Sequence, residues 1–197
     1  MRIFVAGASG LIGTRLVPLL VAAGHTVAGM TRSPGKADTL AGLGAEPVVC
    51  DVYDAAGLSA ALAGFRPDVV IHQLTDLPDN AADFGPSATE ANRRIRIEGT
   101  GNLLRAAGDA RMIAQSISWE QATEEARAGT GEFERMVLTA DGVVIRYGQF
   151  WGPGTYYPDE PPATPRIHID DAARLTLPAL DAPPGVTLVV DDRALSR

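Results

Sequence analysis

The 197-residue sequence holds one cysteine, Cys50, and one lysine, Lys36. A single cysteine excludes an intrachain disulfide and fits a reducing compartment. Cys50 itself reads as a small buried hydrophobe in a strand rather than a nucleophile. Aromatic residues make up only 6% of the chain. No apolar run approaches the roughly 20 residues a membrane helix needs, so no membrane partner is expected. Arg2 is followed at once by a strand and a glycine turn, which is not the layout of a signal peptide, and a cytoplasmic location is expected. Basic residues form no long run; the tightest group, Arg93, Arg94 and Arg96, reads as a solvated helix face. With a net charge of −7, nucleic acid is not an expected partner. No metal site is expected.

What the chain does have is an apolar share of 46%, laid out as short β-rich runs alternating with helical stretches. The pattern predicts strands at 2–6, 26–31, 47–52, 68–72, 112–118, 143–150 and 186–190. Helices are expected at 11–23, 36–43, 55–63, 89–107, 131–139 and 170–180, with loops at 77–87 and 152–165. Pro18 should kink the first helix. Alternation of this kind predicts a Rossmann-type α/β fold. Its core would be a doubly wound, mostly parallel, seven-stranded sheet with helices on both faces. One domain over 1–197 is expected.

The stretch VAGASGLIGTRL, Val5 to Leu16, sets Gly7, Gly10 and Gly13 three residues apart between the first strand and the first helix. Such a turn lets backbone approach a phosphate, and the helix start behind it favours negative charge. The turn residues Gly7, Ser9, Gly10, Leu11, Ile12 and Gly13 are therefore candidate dinucleotide contacts. A carboxylate at the end of the second strand would hold a ribose 2′-hydroxyl and favour NAD(H). Arg32 stands there instead, nineteen positions after Gly13, with Ser33 beside it. A guanidinium fork suits a 2′-phosphate, so NADP(H) is expected over NAD(H).

Several ordered motifs besides the glycines carry a resemblance: GASGLIG, TRSP, CDVYD, VVIHQLT, EGTGNLLRAA, RYGQFWGPGT and IHIDDAAR. Together they resemble the extended short-chain dehydrogenases/reductases, also called the NAD-dependent epimerase/dehydratase family, over nearly the whole chain. The resemblance implies that Asp51 and Val52 contact the adenine and that Leu74 and Thr75 line the cofactor. It puts Gln149 near the nicotinamide and Asn92, a looser match, in the long helix. It also implies a small-molecule substrate and a homodimer paired through helices 89–107 and 131–139, with Ile95, Leu103 and Leu104 as apolar surface.

Catalysis in that family relies on a Tyr-x-x-x-Lys pair with a nearby serine or threonine. Lys36 is the only lysine and residue 32 is arginine, so the motif cannot occur. The segment EEARAGTGEFERMVL reads as shortened. Ser116 or Ser118 could be the family's third member, and Tyr156 or His168 could supply an acid or base. Trp119 and Trp151 are expected to pack in or beside the pocket. The family's chain continues into a substrate lobe, so residues 150–185 read as a reduced substrate side with a shallow pocket. Three readings stay open: an NADP(H)-dependent oxidoreductase with a non-standard site, a non-catalytic dinucleotide sensor, and a non-redox isomerase or cyclase.

Overall fold

The structure is a computed structural model that describes residues 1–121 and 123–191. The last six residues of the domain expected over 1–197 lie outside the described residues. One parallel sheet is formed by β1 (Arg2–Ala6), β2 (Thr26–Thr31), β3 (Glu46–Val49), β4 (Val69–His72), β5 (Arg111–Ile117), β6 (Val143–Tyr147) and β9 (Gly185–Val189). The strand order is β3-β2-β1-β4-β5-β6-β9. β1 lies inside the sheet, paired on one side with β2 and on the other with β4. The winding therefore reverses beside β1, and the crevice for a ligand opens at the C-terminal ends of β1 and β4.

Period-two alternation divides each strand between two apolar layers. Ile3 and Val5 of β1 pack with Leu16, Val17 and Leu20 of α1 (Gly13–Ala22) and with Ile169, Ala172 and Ala173 of α7 (Ile169–Thr176). Phe4 and Ala6 face the other layer. There they meet Leu58 and Leu62 of α3 (Ala55–Phe65), Leu103 of α5 (Thr100–Ala107), and Phe133 and Val137 of α6 (Glu124–Thr139). A strand buried on both faces reads as a nearly continuous apolar run, as Ile3–Ala6 of β1 and Val69–Ile71 of β4 do. The remaining helices, α2 (Ala37–Gly42) and α4 (Pro86–Arg94), lie beside the sheet's β2–β3 end and ahead of α5.

Four local expectations are corrected. α6 starts at Glu124, seven residues before the expected 131, and runs 16 residues to Thr139. Its start is capped by Thr123, whose hydroxyl accepts from Ala126 N, and Glu124 and Glu125 favour the first turn electrostatically. The expected strand 143–150 breaks at Gly148, where a Cβ would lie 2.5 Å from the Arg166 backbone. The chain then forms a separate two-stranded parallel ribbon of β7 (Gln149–Trp151) and β8 (Arg166–His168). The long helix begins at Pro86 and passes through a π-turn, Ile95–Gly99, between α4 and α5. Pro18 lies inside α1, as expected, on the exposed side where water can satisfy the freed carbonyl. Ile95 and Leu103, expected as dimer surface, are buried in the chain's own core. Ile169, Ala172 and Ala173 of α7 pack on α1, while most of 153–164 is exposed.

Candidate functional site

The crevice is built from strand ends. Gly7 follows β1 with φ +89°, a left-handed conformation, and a Cβ there would meet the Gln73 backbone at 2.9 Å. A Cβ on Gly13 would lie 2.4 Å from the Gly7 carbonyl oxygen. Only glycine allows the turn to press this closely on β4 and on itself. Ser9 Oγ donates to Thr31 Oγ1 at 2.8 Å and ties the turn to the end of β2. α1 then starts without a side-chain cap at Ile12 and without an acidic residue in its first turn. Among the described residues, no protein acceptor meets the N–H of Ser9, Leu11 or Ile12. An uncapped helix start with free N–H groups fits an anion such as a pyrophosphate.

The other expected cofactor contacts follow the ends of β2, β3 and β4 or lie in α4 and β7. Arg32 ends β2, and Ser33 N donates to Thr31 Oγ1 at 3.2 Å. Asp51 follows β3, its Oδ1 accepting from Tyr53 N at 2.9 Å. Val52 is buried, and its carbonyl accepts from Asn102 Nδ2 at 2.9 Å. Leu74 N donates to His72 Nδ1 at 3.1 Å, and Thr75 follows it, half-buried. Asn92 Oδ1 accepts from Asp76 N at 3.3 Å. Gln149 begins β7, and its amide donates to Ala163 O at 3.3 Å. The loop after β7 folds over the glycine turn: Arg15 Nη2 donates to Pro153 O at 2.7 Å, and Gly154 sits against Leu11.

The four acid–base candidates have separate surroundings. Ser116 is fully buried and donates to Glu134 Oε1 at 2.6 Å. Ser118 lines a cavity of about 290 Å³ between the end of β5 and α6, together with Trp119, Arg127, Thr130 and Arg146, and its hydroxyl has no partner among the described residues. The Tyr156 hydroxyl donates to Pro78 O, and its ring meets Phe84 edge-on at 5.7 Å. Burial pushes the Tyr156 phenol up, and Asp79 adds to this. His168 caps α7, accepting from Asp170 N at 3.3 Å, with Trp151 edge-on at 4.6 Å.

Sequence reasoning missed a buried polar layer behind the site. Glu134 of α6 accepts from Ser116 and from Arg146 Nε at 2.9 Å, with Arg146 Nη2 on its second oxygen at 2.5 Å. Burial opposes its charge, but these two partners outweigh burial and hold the carboxyl below the usual range. Arg96, on the π-turn, is almost fully buried, and its Nη1 has no hydrogen-bond partner among the described residues. It lies 5.3 Å from the Phe133 ring centre. His72 is held neutral, its pKa pushed down to about 3 by burial and by Arg96. Its Nδ1 accepts from Leu74 N, so Nε2 carries the proton toward Thr100 Oγ1 at 3.0 Å. Tyr147 is pushed up to about 12 by burial, its hydroxyl 2.6 Å from Thr176 Oγ1. His72, Arg146 and Tyr147 fall in stretches that carry the family resemblance, but nothing local shows that these side chains meet Ser116, Glu134 and Arg96 in the interior.

A family model described as NAD-dependent epimerase/dehydratase matches residues 3–119. The chain belongs to that family. This epimerase/dehydratase-family chain is 37% identical over 220 residues to the 3-diazoavenalumate denitrifying reductase of a Streptomyces species, covering 98% of this chain and 69% of the relative. It is 31% identical over 179 residues to a dihydroquinoline-oxide ketoreductase of Stigmatella aurantiaca, covering 77% of this chain and 51% of that protein. Among solved structures, the UDP-glucose 4-epimerase of Thermus thermophilus, in complex with NAD, superposes with a TM-score of 0.76 at 20% identity. That match covers 96% of this chain and 78% of the epimerase and shows a shared fold. No helix among the described residues is long and apolar enough to cross a membrane.

Proposed function

We propose that this chain is an NADP(H)-dependent reductase whose acceptor needs a hydride but no protein acid. One observation carries the reading: an uncapped helix start at a glycine turn, with Arg32 at the end of β2, in a chain that has no Tyr-x-x-x-Lys pair. The N–H groups of Ser9, Leu11 and Ile12 hold the pyrophosphate, and Arg32 and Ser33 take the 2′-phosphate. Asp51 and Val52 border the adenine, Leu74, Thr75 and Asn92 the middle of the cofactor, and Gln149 the nicotinamide side. When bound, the nicotinamide supplies the hydride. The chain orients it.

The acceptor class follows from the proton balance. A reduced carbonyl leaves an alkoxide that must be protonated, and a positioned acid typically contributes about 10²–10⁴-fold. Here Ser116 is committed to Glu134 and the Tyr156 proton to Pro78 O. A carbon bearing a diazonium group needs no acid. The hydride pair forms the C–H bond, the C–N pair leaves with dinitrogen, and no proton is consumed. The relative named as a denitrifying reductase of a diazo compound supports this class.

The test is consumption of NADPH by purified protein with an aryl diazonium salt and with a panel of ketones and aldehydes, each against a protein-free control. Turnover on the diazonium at least about 100-fold above the best carbonyl is expected. Carbonyl reduction at an ordinary rate of about 10 s⁻¹, with the diazonium at background, would overturn the reading. Binding of NADP(H) with no turnover on either would replace it with the sensor reading.

A further inference from the structure

The guanidinium at the end of β2 already has a partner. Arg32 Nη2 donates to Asp76 Oδ1 at 3.1 Å, from a side chain 61% exposed. Asp76 lies 44 positions further along the chain, on the loop after β4, with a side chain only 27% exposed. Its backbone N–H is held by Asn92 of α4. Two residues on, the Pro78 carbonyl accepts from Tyr156. The carboxylate is thus presented to Arg32 by backbone anchored on both sides. Its second oxygen, Oδ2, has no donor among the described residues.

We propose that Asp76 is the second half of the cofactor selector, accepting the 2′-hydroxyl of NAD(H) and opposing the 2′-phosphate of NADP(H). The inference rests on the reading that Arg32 meets the cofactor's 2′ position. A carboxylate accepting the ribose 2′-hydroxyl is the usual basis of NAD(H) choice in this kind of crevice, normally from the end of the second strand. Here that strand end carries the arginine, and the carboxylate arrives from the loop after β4. With NAD(H), the Arg32–Asp76 pair stays intact and Oδ2 takes the hydroxyl. With NADP(H), a phosphate group of charge near −2 must draw Arg32 from Asp76 and lie beside a like charge. Arg32 and Asp76 therefore pull the preference in opposite directions, and the chain takes both cofactors in a ratio that Asp76 sets.

Dissociation constants for NADP⁺ and NAD⁺, measured by calorimetry on the wild type and on Asp76→Asn, Asp76→Ser and Arg32→Ala, test this. Both Asp76 variants keep the N–H that Asn92 holds. Freeing Arg32 from a half-exposed pair should tighten NADP⁺ about fivefold, or about 1 kcal/mol. Losing the carboxylate's charge, and in Asp76→Ser its reach as well, should weaken NAD⁺ by a similar factor. Opposite movement of the two cofactors is the signature, because a general loosening of the loop would weaken both. Suppose instead that both Asp76 variants leave the ratio unchanged while Arg32→Ala weakens NADP⁺ tenfold or more. The role of Asp76 is then overturned and the reading of Arg32 stands. If Arg32→Ala leaves NADP⁺ binding unchanged, that reading falls and the inference falls with it.

Discussion

Replacing Glu134 by alanine probes how α6 is held against the sheet. The carboxylate is 6% exposed and meets Ser116, Arg146 and the charge of Arg96. Removing one partner of a buried ion pair typically costs about 3–5 kcal/mol, because the other charge stays desolvated. Arg146 has a side chain 44% exposed, so water takes over much of its charge. Arg96 cannot be hydrated in this way, and buried Ser116 loses its acceptor. The lower end, about 3 kcal/mol, is therefore expected. That is a large part of a typical total of about 5–15 kcal/mol, yet it leaves a folded protein with a measurable transition. Glu134→Gln keeps an acceptor for Ser116 but not the charge, and should cost about half as much. Adding Arg96→Met to Glu134→Gln should recover most of the loss, since two buried charges are then removed together. Urea unfolding followed by circular dichroism reads all three. A loss under about 1 kcal/mol for Glu134→Ala, or no recovery in the double variant, would refute the reasoning.

Two further outcomes are expected. Gly13→Ala places a Cβ 2.4 Å from the Gly7 oxygen and 2.5 Å from the Ala8 oxygen, so backbone must move. Nucleotide affinity should fall about tenfold or more by calorimetry, and an unchanged affinity would remove the turn from the binding site. His72 is neutral in the fold, with a pKa near 3, and takes a proton in the unfolded chain below about 6.5. Because protons favour the unfolded state, stability should fall as pH drops below about 6.5, by up to about 1.4 kcal/mol per unit until the folded value is reached. Urea midpoints between neutral and mildly acid pH should show a shallower slope in His72→Asn than in the wild type; equal slopes would count against the burial argument.

The sheet was legible because both of its layers are written in period-two alternation and its helices mostly end at glycines. β1, β2 and β4 fall within one residue of expectation for that reason. α6 was read too short because its first turns carry no apolar face before Phe133. The signal was the capping sequence Thr123-Glu124-Glu125. The break at Gly148 had a local sign as well, a glycine inside a strand, but the cause is the Arg166 backbone eighteen positions later. The glycine turn and Arg32 were legible because their chemistry is local. Asp76, Glu134 and Arg96 were not, since each has its meaning only through a residue distant in sequence or packed across an interface. Arg93, Arg94 and Arg96 look like one basic cluster in sequence. In the fold, Arg93 and Arg94 make exposed pairs with Glu90 and Glu98, while Arg96 turns inward.

Four polar groups near the crevice, His72, Tyr147, Ser116 and Tyr156, are poor acids for one of two physical reasons. Burial takes His72 down to about 3 and Tyr147 up to about 12, so neither exchanges a proton near neutral pH. Ser116 is enclosed and already donates to Glu134, and Tyr156 donates to Pro78 O with its phenol pushed further from neutrality. These polar groups hold backbone in place: His72 fixes Leu74, Asn92 fixes Asp76, and Tyr156 fixes the loop at Pro78. All three positions lie on the single strip of chain that leaves β4 and borders the glycine turn. Hydride transfer depends on orientation of donor and acceptor, which such a strip supplies, and only some acceptors add a need for acid. A crevice rigid in its backbone and short of available protons therefore suits an acceptor that is already cationic and loses a neutral leaving group.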